Sequence, residues 1–295
     1  MRVLVTGASG LIGSAVVEAL RRVGHEAVAM VRRPARGAAE VQWNPAAVDA
    51  APFEGADAIV HLAGENIAVG RWTAERKKKI VDSRVDGTRN LAQSIAAAAR
   101  KPRVLVSASA VGFYGDRGDE LLNESSASGA GFLAEVARGW ESATDPAARA
   151  GIRVVLVRIG VVLAGTGGAL PKMALPFRIG MGGRVGNGRQ WMSWIALDDL
   201  VRLILFAIEN ESVRGPANAV APQPATNAEF TRTLARVLHR PAIFPAPAFA
   251  LRLMMGEMAN ELLLSSQRIE PKVALESGFR FEYPQLHSAL SKALG

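Results

Sequence analysis

Along the first half of the chain, short aliphatic runs alternate with longer stretches whose apolar residues recur at helical spacing. Residues 3–6 read Val-Leu-Val-Thr and pass through a glycine-rich turn into an amphipathic stretch over 11–23, which predicts a strand, a tight turn and a helix. Further strands are predicted at 26–31, 41–43, 58–64, 103–107 and 153–160. A polar loop over 64–72 precedes helical periodicity that continues to residue 99, and a second helix is predicted over 132–150. Residues 116–131, rich in glycine, serine and acids, read as a loop. Strands that alternate in this way with helices predict an α/β fold with a doubly wound parallel sheet of the Rossmann type.

Beyond residue 160 the alternation weakens. Residues 1–160 are therefore assigned to the core and 161–295 mainly to a smaller substrate-binding lobe, with about 195–220 returning to the sheet. Gly165-Thr166-Gly167-Gly168 is a flexible loop, and 172–188 is rich in glycine, methionine and basic residues. Gly180-Met181-Gly182-Gly183 lacks a strand-to-helix context and reads as a turn, not as a second phosphate loop. A helix over 197–210 begins with Asp198 and Asp199, acids that suit its dipole. Asn227 is the expected cap of a helix over 228–238. The Met- and Leu-rich stretch 245–264 reads as core or subunit interface, and a last helix is predicted over 283–294.

The turn carries the first chemistry. Gly7 permits the tight bend, Gly10 lets backbone approach a pyrophosphate, and Gly13 lets the helix pack close to the sheet. The amides around Ser9, Leu11 and Ile12 then face a phosphate at a helix N-terminus. About 20 residues on, where an acid would receive the ribose hydroxyls of NAD, stand Arg32 and Arg33, which suit a 2′-phosphate and favour NADP(H). His61-Leu62-Ala63-Gly64 ends a strand in small residues beside which a cofactor can lie. His61 is read as packed or cofactor-adjacent, since an apolar strand disfavours its charged form. Ser107 and Ser109 either point into the crevice or cap the following loop. Arg158 and Gly160, at the end of the next strand, are assigned to the cofactor side.

Composition narrows the field. Hydrophobic residues make up 49% and charged residues 21% of 295, which argues against disorder. There are no cysteines, and four histidines lie scattered, so disulfides, thiolate chemistry and a metal site are not expected. No apolar run is long enough to span a bilayer, and Met1 leads directly into the first strand, so a cytoplasmic protein is expected. The formal charge is +8. Arg76-Lys77-Lys78-Lys79 is the one basic run, without the interleaved aromatics of a single-strand stacking surface, and it reads as a solvated helical face, not a nucleic-acid site.

Several pieces together resemble the extended short-chain dehydrogenase/reductase superfamily: residues 6–13, His61-Leu62-Ala63-Gly64, Gly87-Thr88, the segment 107–115, and Trp194-Ile195-Ala196-Leu197-Asp198-Asp199-Leu200. Gly70-Arg71-Trp72, Ser83-Arg84-Val85, residues 132–135 with Trp140-Glu141, and residues 190–195 make the chain more similar to an atypical, epimerase-family subgroup of NAD-dependent epimerase/dehydratase-like proteins whose substrate is unassigned. The C-terminal segment from about 219 to 294 carries the same likeness.

That resemblance implies a Tyr-x-x-x-Lys pair for proton transfer, and the chain departs from it. The two tyrosines, Tyr114 and Tyr283, are followed four residues on by Gly118 and His287. The family's helical Asn is here Arg84, and Ser109 alone survives of the catalytic set. Tyr114, Glu135 and Glu141 are the alternative proton donors, each with a plain reading as a pocket-lining or solvent-facing residue. Arg84 would hold an anionic group. By analogy with the lid region, Arg71, Trp72, Lys172, Arg178 and Trp191 are placed on the substrate side. The expected function is an NADP(H)-dependent oxidoreductase or epimerase-like enzyme acting on a small molecule. The alternative is a non-catalytic NADP(H) sensor or protein-binding module; homo-oligomerisation fits either.

Overall fold

The computed structural model describes all 295 residues. Its centre is a sheet of seven strands: β1 (Arg2–Thr6), β2 (Glu26–Val31), β3 (Glu40–Gln42), β4 (Ala58–His61), β5 (Val104–Ala110), β6 (Arg153–Ile159) and β7 (Gly215–Ala219). The spatial order is β7-β6-β5-β4-β1-β2-β3 and every pairing is parallel. This is the doubly wound order with one added edge strand, and it reverses direction between β1 and β4.

Helices α1 (Leu11–Arg22), α2 (Ala74–Ala97), α3 (Phe132–Ser142) and α4 (Asp145–Arg149) follow the core strands. They are joined by α5 (Leu170–Arg178), α6 (Leu197–Glu209), α7 (Asn227–Leu238) and α8 (Ala248–Met255). Both faces of the sheet are covered, which is why its strands read as unbroken apolar runs. Val3, Val5, Val60, Val104 and Val106 pack towards α1 and α6, while Leu4, Ile59 and Leu105 pack the other way, towards α2 and α4. The lobe has its own core around Leu163, Phe177, Trp194, Phe230 and Leu290.

The structure redraws several boundaries. The helix expected over 132–150 is two, because Pro146, with no amide to donate, starts α4 afresh. The cap of α7 is Thr226, not Asn227: the Thr226 hydroxyl accepts from the Glu229 amide while the Glu229 carboxylate takes the Thr226 amide. Asn227 instead accepts from the Val185 amide. Residues 121–122, expected in a loop, pair in parallel with 268–269. The chain also returns to the core a second time, since Ala274 and Phe279 join the α1/α6 side of the sheet. No helix is long and apolar enough to cross a membrane.

Candidate functional site

Thr6 and His61 stand opposite each other at the carboxyl ends of β1 and β4, where the strand order reverses. The Thr6 hydroxyl oxygen accepts the amides of Leu62 and Ala63 at 3.1 and 3.2 Å, which turns the chain sharply after β4. With both lone pairs used, its hydrogen goes to His61 Nδ1, 2.8 Å away. The proton of the neutral ring is then on Nε2, which donates to Thr88 Oγ1 of α2 at 2.9 Å. Burial pushes the His61 pKa down to about 4. His61, read as packed or cofactor-adjacent, is fully enclosed and acts as a spacer that fixes β4 to β1 and α2.

Above this pair the glycine turn is built as its spacing predicts. Gly7 has φ +67°, and a Cβ there would meet the Leu62 carbonyl at 2.8 Å; one on Gly13 would lie 2.1 Å from the Gly7 oxygen. A Cβ on Gly10 would touch only that oxygen, at 3.3 Å. No side chain caps α1, no acid lies in its first turn, and the amides of Leu11 and Ile12 have no acceptor in the protein. Ser9 and Gly10 are exposed beside them. This cradle leaves backbone donors and a dipole end for an anion. The loop 165–168 comes down on it, since a Cβ at Gly168 would lie 2.9 Å from Leu11 Cδ2.

The two arginines after β2 part company. Arg33 donates to both oxygens of Glu40 at 2.6 and 2.7 Å and holds that carboxyl at about 2. Arg32 is exposed and its guanidinium has no partner, so it is the one free to receive a phosphate.

Behind the crevice lies a buried polar chain. The Ser109 hydroxyl donates to Glu141 Oε1 at 2.7 Å, and Arg158 grips both Glu141 oxygens at 2.8 Å. Arg158 Nη1 also reaches the Tyr114 hydroxyl at 2.9 Å, and the guanidinium lies 3.5 Å from the centre of the Phe113 ring. The Tyr114 hydroxyl is shared with Asn218 Oδ1 at 2.8 Å and the Asn123 carbonyl at 3.0 Å.

This arrangement corrects four expectations. Tyr114 is sealed, and burial pushes its phenol above the ordinary range, so it meets no substrate. Arg158 is consumed by Glu141 and Tyr114 and is no cofactor ligand. Ser107 is also fully buried, its hydroxyl turned to the Ala108 carbonyl. Gly160 serves packing: a Cβ there would meet the Ser193 oxygen at 2.7 Å and Val220 Cγ1 at 2.8 Å. Asn218 and Glu124, which the sequence did not single out, complete the cluster. Glu124 accepts the amides of Asn218 and Val273, and burial raises its pKa. A polar residue inside the apolar run of β7 is the one signal that marks Asn218.

On the open side, Arg84 lies over Trp140 with its guanidinium carbon 3.3 Å from where a Gly64 Cβ would be. It makes one hydrogen bond, to the Glu65 carbonyl at 2.9 Å, and burial lowers its pKa to about 10, leaving it charged at neutral pH. Arg71 is not free for substrate: it donates to the Leu253 and Met254 carbonyls at the end of α8. Trp72 packs on Phe132 with its indole N–H on the Ile67 carbonyl. The Trp191 indole donates to Asp119 and carries Arg268 on its face. Glu135 and Lys172 are exposed, on α3 and α5. All four residues of the basic run at 76–79 are paired with carboxylates, of Glu65, Glu257, Asp82 and Glu75 in turn.

Residues 3–220 match the model of the NAD dependent epimerase/dehydratase family. The chain belongs to that family. Residues 246–293 of this family member also match a domain of unknown function, DUF1731. An epimerase family protein of Mycobacterium leprae is 43% identical over 293 residues, covering 99% of this chain and 95% of its own. Epimerase family protein YfhF of Bacillus subtilis is 40% identical, covering 100% and 98%. Among solved structures, that of human epimerase family protein SDR39U1 with NADPH superposes with a TM-score of 0.92 at 36% identity, covering 100% of this chain and 99% of that one. This epimerase-family chain thus has full-length counterparts in both sequence and fold.

Proposed function

We propose that this chain is an NADP(H)-binding oxidoreductase or epimerase-like enzyme acting on a small molecule, with its proton handled by residues other than a Tyr-x-x-x-Lys pair. The observation that carries the reading is the fit of the turn, where Gly7 and Gly13 leave no room for a Cβ and the helix offers two free amides, with Arg32 unpaired after β2. The NADPH in the human relative's structure supports it. Gly7, Ser9, Gly10, Leu11, Ile12 and Gly13 would hold the pyrophosphate, Leu62, Ala63 and Gly64 would border it, and Arg32 would meet the 2′-phosphate. Such a cofactor, once bound, supplies a hydride donor or acceptor.

Ser109 is buried and commits its hydrogen to Glu141, so it would shape the wall behind the crevice and not meet a substrate itself. Glu141 has both oxygens occupied and positions Ser109 instead of taking the proton itself. The spare donors of Arg84 beside Gly64 would hold an anionic group or stabilise developing negative charge.

A non-catalytic NADP(H) sensor is the second reading, favoured by the enclosure of Tyr114 and the locking of Glu141. Fluorescence titration of NADPH and NADH tests the cofactor: Arg32→Ser should weaken NADPH about tenfold and leave NADH unchanged. A panel of alcohols and carbonyls, with Ser109→Ala and Arg84→Ala as controls, tests turnover. Cofactor uptake without turnover of any compound favours the sensor, and uptake of neither cofactor ends both readings.

A further inference from the structure

Two segments of the lobe, 165–193 and 239–256, contain no Asp or Glu and six cations: Lys172, Arg178, Arg184, Arg189, Arg240 and Arg252. All six are exposed, and none has a carboxylate within salt-bridge distance, whereas the basic run at 76–79 is fully paired. The two segments lie against each other. Phe244 donates its amide to the Gly182 carbonyl at 3.0 Å and Ala246 to the Arg184 carbonyl at 2.8 Å.

The same two segments present Leu175, Ile179, Met181, Phe249, Leu253 and Met254, each more than half exposed. Helix α8 has no buried residue at all. Large exposed apolar side chains on two adjoining segments mark a place where something binds. A second copy is a poor fit, because a two-fold contact would set these unpaired cations against their own copies. The face also borders the crevice: the loop leading into α5 touches Leu11, and the carbonyls ending α8 are held by Arg71, from the loop after β4.

We infer that the substrate of this crevice is an anionic amphiphile, an acidic head group on an alkyl chain, with the chain laid along α5 and α8 and the head among the unpaired arginines. This rests on the crevice being the reaction site proposed above. It sets the substrate apart from a wholly polar nucleotide sugar, which would leave the apolar face unused.

The test uses the full chain and dodecyl phosphate below its micelle concentration, read by tryptophan fluorescence with and without NADPH. Dodecyl phosphate should saturate and bind about tenfold more tightly than UDP-glucose or dodecyltrimethylammonium. Phe249→Ser with Leu253→Ser, and separately Arg178→Glu, should each weaken it about tenfold while NADPH affinity stays unchanged. Equal affinity for the cationic amphiphile, tighter UDP-glucose, or indifference to these variants would overturn the inference. So would retention on phosphatidylglycerol vesicles without binding of the monomeric amphiphile, which would make the face a membrane contact. Concentration-dependent dimers abolished by the double variant, without amphiphile binding, would overturn it as well. Amphiphile binding without NADPH binding would defeat the cofactor reading and, with it, the assignment of the amphiphile as a substrate.

Discussion

Arg158 holds Glu141 by two parallel hydrogen bonds of 2.8 Å, and both side chains are almost wholly enclosed. Removing the charge from one partner strands the other in a medium that cannot solvate it. Glu141→Gln should therefore cost about 3 kcal/mol of unfolding free energy, against about 1 kcal/mol for Ser109→Ala, which removes one hydrogen bond. Urea unfolding of the two variants at neutral pH measures both, and equal losses would show that the ion pair stabilises the fold no more than the serine's hydrogen bond does.

His61 makes the fold sensitive to acid. Its pKa is pushed down to about 4 in the fold, from an ordinary value of 6.5, so the folded chain holds the neutral ring where the unfolded chain would protonate it. This contribution is complete above the unfolded value and is lost as pH falls from there towards 4. Between about pH 7 and about pH 5 the loss should be about 2 kcal/mol. Comparing urea midpoints at the two pH values with those of His61→Gln, whose pH dependence should be shallower, checks the assignment.

Gly13 and Gly10 should fail in different ways. Gly13→Ala would drive a Cβ to 2.1 Å from the Gly7 oxygen, backbone against backbone, so α1 must shift; a loss of at least about 2 kcal/mol and of NADPH binding is expected. Gly10→Ala has a milder contact at 3.3 Å and should fold, with NADPH binding weakened about tenfold because the added methyl stands where phosphate approaches. Thermal unfolding and NADPH titration of both variants separate the two roles.

Glu261 ties the lobe to the core by accepting the amides of Phe132 and Leu133 at the start of α3, with Gly131 giving the room. A carboxylate at a helix N-terminus adds dipole stabilisation to the capping bonds, so Glu261→Gln should cost about 1 kcal/mol. Hydrogen exchange should then quicken over residues 248–264 and at the α3 N-terminus, while the central strands keep their protection.

The parallel sheet was legible because it is written in short-range pattern. Buried strands must be apolar on both faces, and the turn at residues 7–13 needs glycine for reasons of space that hold in any chain folding this way. The roles of Tyr114, Arg158 and Gly160 were not legible. Each is defined by a neighbour far along the chain: Asn218 for Tyr114, Glu141 for Arg158, and Ser193 with Val220 for Gly160. Arg32 and Arg33, alike in sequence, were separated by Glu40, which the pairing of β2 with β3 brings within reach of one of them.

By itself, then, the order of residues determined the alternation of strand and helix, the place of the phosphate-binding turn and the absence of a Tyr-x-x-x-Lys pair, since periodicity and steric need at glycine are local properties. The tertiary structure decided which polar groups are enclosed and which are left to act, because a side chain's charge, proton and freedom depend on what packs around it. The six cations of residues 165–193 and 239–256 that have no carboxylate within reach stand out for the same reason: whether one comes close is a property of the folded chain.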